Sequence, residues 1–226
     1  MKIACCIFAY EITKGLKSIG PLGLTKRNSR AKPFLLEQME YVKNVFGGTD
    51  FYIITGFENK KIESILPKKK YITTIYNDKY NTKNHGLATK LFLDEIKNNL
   101  KNYDGCLILE QNTLLKKIKY KHKKRSWIAT VSKHIGDSDN LNVLSIDNKQ
   151  VKYLFYRIEG NFWCHNLYLT SRDLERIIGL DSLFHDNMFL FEIINSVIDS
   201  NQVEILENKI HSIKDHLHFV YPKLKK

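Results

Sequence analysis

Strand-like and helix-like segments alternate along the first half of the chain, and this alternation restricts the fold more than any other feature. A continuous apolar run at residues 2–9 predicts the first strand. Helical apolar spacing follows at residues 33–46, where two glycines predict the end of the helix. The alternation continues with strand segments at 50–56, 70–75 and 105–109 and helical segments at 59–66 and 85–100. Such a series predicts a largely parallel sheet with helices on both faces.

The second half of the chain is dominated by short strand-like segments joined by short turns. These segments predict antiparallel additions to the sheet edge and lie at residues 126–132, 141–146, 151–157 and 162–169. Ser171 is predicted to cap a helix at 171–178, and a longer helix is expected at 184–199. The expected fold class is therefore α/β with three layers and a mostly parallel sheet.

Charge and composition restrict the partners. The chain has 226 residues, with 36 Lys and Arg against 24 Asp and Glu, which gives a formal net charge of +12. Its 43% hydrophobic content excludes a mainly disordered chain. The positive charge favours phosphate-bearing or acidic partners. The run Lys116–Arg125 indicates either a nucleic-acid contact or, as we favour, a solvated surface loop.

Cysteine usage and hydropathy indicate where such a chain works. The four cysteines form no CxxC pair and are predicted to be buried free thiols of a reducing compartment: Cys5, Cys6, Cys106 and Cys164. No apolar stretch approaches the ~20 residues needed to span a bilayer. We therefore expect a cytoplasmic protein. Because abundant Lys, Asn and Ile are typical of AT-rich coding, a component of a virus particle, such as a phage virion, is the alternative.

Short motifs in the first third of the chain follow one another in a characteristic order. IFAYEITK occupies residues 7–14, Pro21-Leu22 and Thr25 follow, and KPFLL occupies residues 32–36. This segment resembles the opening of sugar-phosphate nucleotidyltransferases, in which a first strand ends in LAAGxGTR and a loop leads to Lys-Pro and a helix.

Three later motifs extend the resemblance to about residue 115. FYIITGF at residues 51–57 is similar to the family's second strand, and IYNDKY at 75–80 with Asn84 is similar to its NPxY…N segment. LILEQN at residues 107–112 lies where the family has a strand ending in Gly-Asp. The ordered set is more specific than any of its members.

The resemblance implies a fold of the nucleotidyltransferase and glycosyltransferase A type over a single domain, 1–226. Residues 1–115 would form the nucleotide-binding half, and residues 116–226 the acceptor half and closing elements. The family transfers a nucleotidyl group from a nucleoside triphosphate to a sugar or alcohol phosphate and releases pyrophosphate with the help of Mg²⁺. Carried onto this sequence, the catalytic residues are Lys14 and Lys32, the nucleotide-binding residues Tyr10, Glu11, Thr13 and Asn84, and the metal ligands Glu110 and Asn112.

The sequence departs from the family pattern at its two most demanding points. Tyr10 and Ile12 replace the glycines of the phosphate-binding turn, where a β-branched Ile is poorly suited to unusual backbone angles. Asn112 replaces the Mg²⁺-binding aspartate, and Gln111 replaces the small residue before it. Glu110 faces the same side of a strand as residue 112, so it can replace the missing aspartate as a metal ligand, although imperfectly. These departures predict an impaired site.

Three functional hypotheses remain open. The first is a divergent, catalytically impaired relative, retained to bind a nucleoside triphosphate or sugar nucleotide or to assemble with protein partners. The second is an active Mg²⁺-dependent nucleotidyltransferase with a rebuilt loop. The third is a glycosyltransferase that uses Asp137 and Asp139 as a DxD metal motif, although this polar stretch is more typical of a turn.

Other constellations carry weaker signals. The histidines at 211, 216 and 218 with Asp215 match no strong zinc spacing. Cys164 and His165 are neighbours on a predicted strand, so their side chains should point to opposite faces and form no catalytic dyad. Four aromatic side chains are candidates to line a cleft for a base or sugar ring: Tyr76, Tyr80, His85 and Trp163.

Overall fold

The strands and helices that the sequence predicts occur in the predicted order, and the structure adds short strands after residue 112 and after residue 203. The computed structural model describes residues 2–10, 20–26, 28–82, 85–111, 113–115, 124–131, 141–146, 150–156, 161–198, 203–207 and 210–212. The strands are β1 (Lys2–Ala9), β2 (Gly48–Thr55), β3 (Ile72–Tyr76), β4 (Gly105–Glu110), β5 (Thr113–Leu115), β6 (Trp127–Val131), β7 (Leu141–Ile146), β8 (Gln150–Tyr156), β9 (Asn161–Thr170), β10 (Glu204–Glu207) and β11 (Ile210–Ser212). The helices are α1 (Phe34–Phe46), α2 (Asn59–Ile65), α3 (His85–Ile96), α4 (Ser171–Gly179) and α5 (Leu190–Ile198).

One large sheet organises the described residues. Its strand order is β3-β2-β1-β4-β9-β6-β10-β8-β7, and β5 and β11 pair separately. The first four strands of this order are parallel to one another. Strand β9 then runs antiparallel to β4 and carries the sheet into the second half of the chain. The predicted α/β fold with a mostly parallel sheet and antiparallel additions is confirmed.

Two apolar cores cover the two faces of the sheet, and β1 contributes to both. Its alternate residues Ile3, Cys5 and Ile7 pack with the apolar faces of α1 and α2. The intervening residues, Ala4 and its neighbours on the same face, pack with α3, α4 and α5. Because every residue from position 3 to position 9 is buried, the run reads as continuously apolar rather than alternating.

The four cysteines are buried free thiols, as predicted. Burial raises the pKa of Cys5 and Cys6 well above the ordinary thiol value. Burial also raises the pKa of Cys164 to about 12. Because the thiolate is the reactive form, these side chains behave as small apolar groups of the core.

The start of α4 differs from the prediction by one residue. Thr170, rather than Ser171, occupies the capping position, and its hydroxyl oxygen accepts a hydrogen bond from the Asp173 N–H at 3.4 Å. Either residue type suits this position, so the sequence alone does not distinguish between the two.

The last long helix is shorter than predicted, because α5 begins at Leu190 instead of residue 184. The Met188 carbonyl oxygen accepts a hydrogen bond from the Gly86 N–H of α3 at 3.0 Å. The Phe189 N–H donates to the Glu192 carboxylate at 2.6 Å, which closes the first turn of α5. The hydrogen bond between Met188 and Gly86 of α3 therefore overrides the local helical periodicity.

Across the described part of the chain, no helix combines the length and the apolar character needed to cross a membrane.

We expect Gly86→Ala to destabilise the chain, because a Cβ atom there would lie 2.1 Å from the Met188 carbonyl oxygen. Relief requires the segment before α5 to move, at a cost of about 1–3 kcal/mol of unfolding free energy. Urea denaturation measures this cost. The matched control is Gly179→Ala at the end of α4, where a Cβ atom meets nothing within 4 Å. Equal stability of the two variants would contradict the close approach.

Candidate functional site

The candidate site lies at the carboxyl edge of the parallel strands, between β1 and β4. The chain leaves β1 towards β2 on one side, and β4 flanks β1 on the other side, so the strand order reverses here. Ligands of open α/β sheets bind at such a switch point, beyond the carboxyl ends of the strands. Tyr10 follows β1, Glu110 ends β4 and His85 begins α3. Three segments thus supply polar or aromatic side chains to one edge.

A carboxylate and two imidazoles meet at this edge. Glu110 is only 3% exposed. Its Oε1 atom lies 3.1 Å from the Nδ1 atom of His85 and 3.6 Å from the Nδ1 atom of His165. The donor atoms of all three residues lie within 4.8 Å of one another. We call His85, Glu110 and His165 the His–Glu–His cluster.

A bulge in β9 positions His165. Leu167 pairs with Ile128 and Trp163 pairs with Thr130, so three residues of β9 lie opposite the single residue Ala129. His165 sits within this bulge with a φ angle of 59°, in the left-handed region that side chains other than glycine rarely adopt. Bulges commonly redirect a side chain beside a functional site.

Buried hydrogen bonds hold the bulge in place. The Cys164 thiol donates to the Ala129 carbonyl oxygen at 2.9 Å. The Trp163 indole N–H donates to the Asn166 carbonyl oxygen at 3.3 Å. The Trp163 ring also stacks on the His165 ring, with centroids 4.9 Å apart and planes 13° apart. The imidazole of His165 is therefore supported from one side before any ligand arrives.

Two buried amide side chains hold the backbone of Glu110. The Glu110 N–H donates to Asn166 Oδ1 at 2.9 Å. The Gln38 side chain on α1 donates to the Glu110 carbonyl oxygen at 2.7 Å. Asn166 and Gln38 are 0% and 1% exposed, so these bonds form away from bulk water. The backbone of Glu110 is consequently held by a helix, α1, and by another strand of the sheet, β9.

Aromatic rings surround the cluster on the side of β1 and β2. The Tyr10 ring lies edge-on to the His85 ring, with centroids 5.9 Å apart. A Cβ atom on Gly56, which follows β2, would lie 2.6 Å from Tyr80 and 2.8 Å from Tyr10. The missing side chain of Gly56 therefore lets the two tyrosines approach each other. Of the predicted cleft aromatics, the structure brings Tyr80 and His85 to this edge.

The other two predicted cleft aromatics are placed differently. Trp163 is buried beneath His165, and Tyr76 is 54% exposed at the end of β3. Trp163 is thus part of the support for the cluster rather than an open stacking surface.

Gln111 anchors the loop that precedes α1. Its side-chain oxygen accepts a hydrogen bond from the Gly23 N–H at 3.2 Å. Its own N–H donates to the Phe8 carbonyl oxygen at 3.2 Å. The larger residue at this family-motif position therefore fills space at the edge of the site and ties the loop to β4.

Lys32, predicted to contact phosphate, is exposed in this structure and forms an ion pair with Glu40 of α1 at 2.7 Å. The remaining predicted site residues lie outside the described part of the chain: Glu11, Thr13, Lys14, Asn84 and Asn112. The same is true of Asp137, Asp139 and most of the basic run. Their predicted roles stay predictions.

Cys164 and His165 do not form a catalytic dyad. The predicted alternation of side chains does not hold inside the bulge. The exclusion instead follows from the Cys164 thiol, which donates to Ala129 and whose pKa is raised to about 12 by burial. A thiol in this state does not supply a nucleophile at neutral pH.

The described donors do not match the Mg²⁺ site that the resemblance implies. Mg²⁺ requires oxygen ligands in octahedral geometry and is held by carboxylates, water and phosphates. At this edge the described residues offer two imidazole nitrogens beside the Glu110 carboxylate. Glu110 is predicted as a metal ligand from the sequence and the two histidines are not, because they are 80 residues apart and follow no metal-binding spacing.

The left-handed backbone at His165 predicts an unusual ranking of variants. We expect His165→Gly to be more stable than His165→Ala by about 1 kcal/mol, because both lose the ring but only alanine keeps a strained Cβ atom. Thermal or urea unfolding measures the difference. His185, an exposed residue outside the left-handed region, is the control, and there the glycine variant should be the less stable one. The same ranking at both positions would contradict the assignment.

Comparisons with solved structures identify the fold. CTP:phosphocholine cytidylyltransferase from Streptococcus pneumoniae is similar over 100% of both chains, with a TM-score of 0.75 and 18% identity. A putative glucose-1-phosphate thymidylyltransferase from Bacillus anthracis is similar over 96% of this chain and 94% of its own, with a TM-score of 0.72 and 12% identity.

A UDP-glucose pyrophosphorylase complexed with UDP-glucose is similar over 100% of both chains, with a TM-score of 0.72 and 12% identity. Neither a protein-family model nor a curated protein sequence matches the chain. The expected resemblance is thus confirmed at the level of structure, and the chain has the fold of the sugar-phosphate nucleotidyltransferases.

Proposed function

We propose that the chain binds a nucleoside triphosphate or a sugar nucleotide at the carboxyl edge of β1 and β4, and that nucleotidyl transfer at this edge is impaired. The observation that carries the proposal is the fold itself, which has its switch point at this edge. A structural neighbour of full length is a UDP-glucose pyrophosphorylase complexed with UDP-glucose. The net charge of +12 favours a phosphate-bearing ligand.

The aromatic side chains of the edge suit a base or sugar ring. Tyr80 and His85 are half-buried, so each keeps part of its ring accessible beside the buried Tyr10. Stacking of a base on an aromatic ring contributes about 1–3 kcal/mol and tolerates different bases. This edge therefore places a stacking surface beside a polar cluster.

Three features support the impairment of transfer. The donors beside Glu110 Oε1 are two imidazole nitrogens, whereas Mg²⁺ prefers an all-oxygen ligand set. Gln111 fills space where the family pattern has a small residue. Lys32 is paired with Glu40 on the surface. Assembly with protein partners requires no catalytic turnover, so this role is also compatible with impaired transfer.

An active Mg²⁺-dependent transferase is the second candidate. The observation that favours it is a carboxylate at the carboxyl end of β4, where the family resemblance implies a metal ligand. Pyrophosphate release separates the two candidates, because only the active enzyme produces it in a Mg²⁺-dependent way.

The first test is a thermal-shift screen of nucleoside triphosphates and sugar nucleotides, with and without Mg²⁺. A ligand at one hundred times its Kd adds about 2.7 kcal/mol and should raise the Tm by about 5–10 °C at this chain length. We expect one nucleotide class to give this shift while pyrophosphate release stays at background. Absence of any shift on folded protein would overturn nucleotide binding and favour the assembly role.

A second measurement locates the ligand. We expect Tyr80→Ala to weaken binding of the responding nucleotide about tenfold, because it removes an accessible ring at the edge. Tyr153→Ala is the matched control, since Tyr153 is an exposed aromatic residue of β8. Unchanged affinity in Tyr80→Ala, or equal loss in both variants, would place the ligand elsewhere. Pyrophosphate release that requires Mg²⁺ would instead establish the active transferase.

A further inference from the structure

The His–Glu–His cluster has the donor set of a transition-metal site. Imidazole nitrogen suits Zn²⁺, Co²⁺ and related divalent ions, and a single carboxylate is a common third ligand. Its three members come from three separate segments, the start of α3, the end of β4 and the bulge of β9. Their convergence is therefore a property of the tertiary fold rather than of a local motif.

The distances between the donor atoms agree with a shared ion. Metal–ligand bonds of about 2.0–2.2 Å at a tetrahedral angle place neighbouring donors about 3.3–3.6 Å apart. Glu110 Oε1 lies 3.1 Å from His85 Nδ1 and 3.6 Å from His165 Nδ1. The remaining separation is at most 4.8 Å, which modest side-chain rotations would close.

The burial of the three side chains suits an ion with one open position. The Glu110 side chain is 5% exposed, whereas those of His85 and His165 are 17% and 35% exposed. The carboxylate thus forms the floor of the cluster, and the two imidazoles form its accessible rim. Three protein ligands with an accessible rim leave room for water or an anionic ligand as the fourth.

The supports of the cluster hold its donors before an ion binds. Buried amides of Asn166 and Gln38 fix the Glu110 backbone, and the Trp163 ring supports the His165 ring. The left-handed backbone at His165 is an unfavourable conformation, and it is retained where its imidazole faces Glu110. Strained residues held in this way cluster at functional sites.

We propose that His85, Glu110 and His165 bind one divalent transition-metal ion of the class that prefers imidazole, such as Zn²⁺ or Co²⁺, in preference to Mg²⁺. The proposal does not require nucleotide binding. The metal alone is therefore the probe, and failure of the nucleotide screen would leave this test unaffected.

The experiment is a titration of chelator-treated full-length protein with Co²⁺, followed by its visible absorption and by calorimetry. We expect one Co²⁺ per chain, displaced by Zn²⁺ but not by about a hundredfold excess of Mg²⁺. Glu110→Gln and His165→Asn should each weaken Co²⁺ binding at least about tenfold, since even loss of an outer hydrogen-bond partner costs 10–100-fold. Asparagine tolerates the left-handed backbone at residue 165.

His185→Asn is the matched control, because it removes an exposed histidine outside the cluster and should leave Co²⁺ affinity unchanged. In the wild-type chain, bound Co²⁺ should shift the ring-proton NMR signals of two of the 8 histidines, a measurement that needs no folded variant. Absence of Co²⁺ binding would overturn the proposal. So would wild-type affinity in folded Glu110→Gln and His165→Asn, displacement by Mg²⁺, or shifts confined to other histidines.

Discussion

The parallel pairing of β1 with both β2 and β4 is the constraint on which the rest of the structure depends. Because β1 lies inside the sheet and both of its faces are covered, the side chains on each face must be apolar. The same pairing places Phe8 beside Glu110 in register, so the chain leaves β1 where β4 delivers its carboxylate. Core formation and the location of the candidate site are therefore consequences of one strand arrangement.

The site is built on this frame by side chains that belong to the core. Gln38 reaches Glu110 from α1, whereas Asn166 reaches it from β9. Leaving a buried polar partner unsatisfied costs about 1–3 kcal/mol, so these amides stabilise the fold while they orient the carboxylate. Stability and positioning are thus coupled at Glu110, and a change in either amide is expected to alter both.

Much of the fold could be predicted from the sequence because local and global signals agree in its first half. The apolar run of β1, the helical spacing of α1 and the glycines after it all describe the observed elements. The predicted start of α5 is wrong because the Met188 carbonyl oxygen accepts a hydrogen bond from Gly86, which is more than a hundred residues away in the chain. Contacts at such separation have no local signature.

The candidate site could be predicted only in part. Glu110 was recognisable as a carboxylate at the end of a strand, but His165 was assigned by the simple alternation of a regular strand. The bulge interrupts that alternation, and residues 162–166 (FWCHN) contain no glycine that would indicate a bulge. His85 was recognised as an aromatic ring and not as a ligand, since its partners come from distant segments.

The bulge in β9 also separates the chemistry of position 165 from the architecture of the sheet. The two residues in excess are absorbed between the pairs Ile128–Leu167 and Thr130–Trp163, so the ladders on either side keep their own register. A different side chain at 165 would leave those ladders in place. A side chain that tolerates the left-handed backbone, such as asparagine, could therefore replace the donor at position 165 while the flanking strands keep their register.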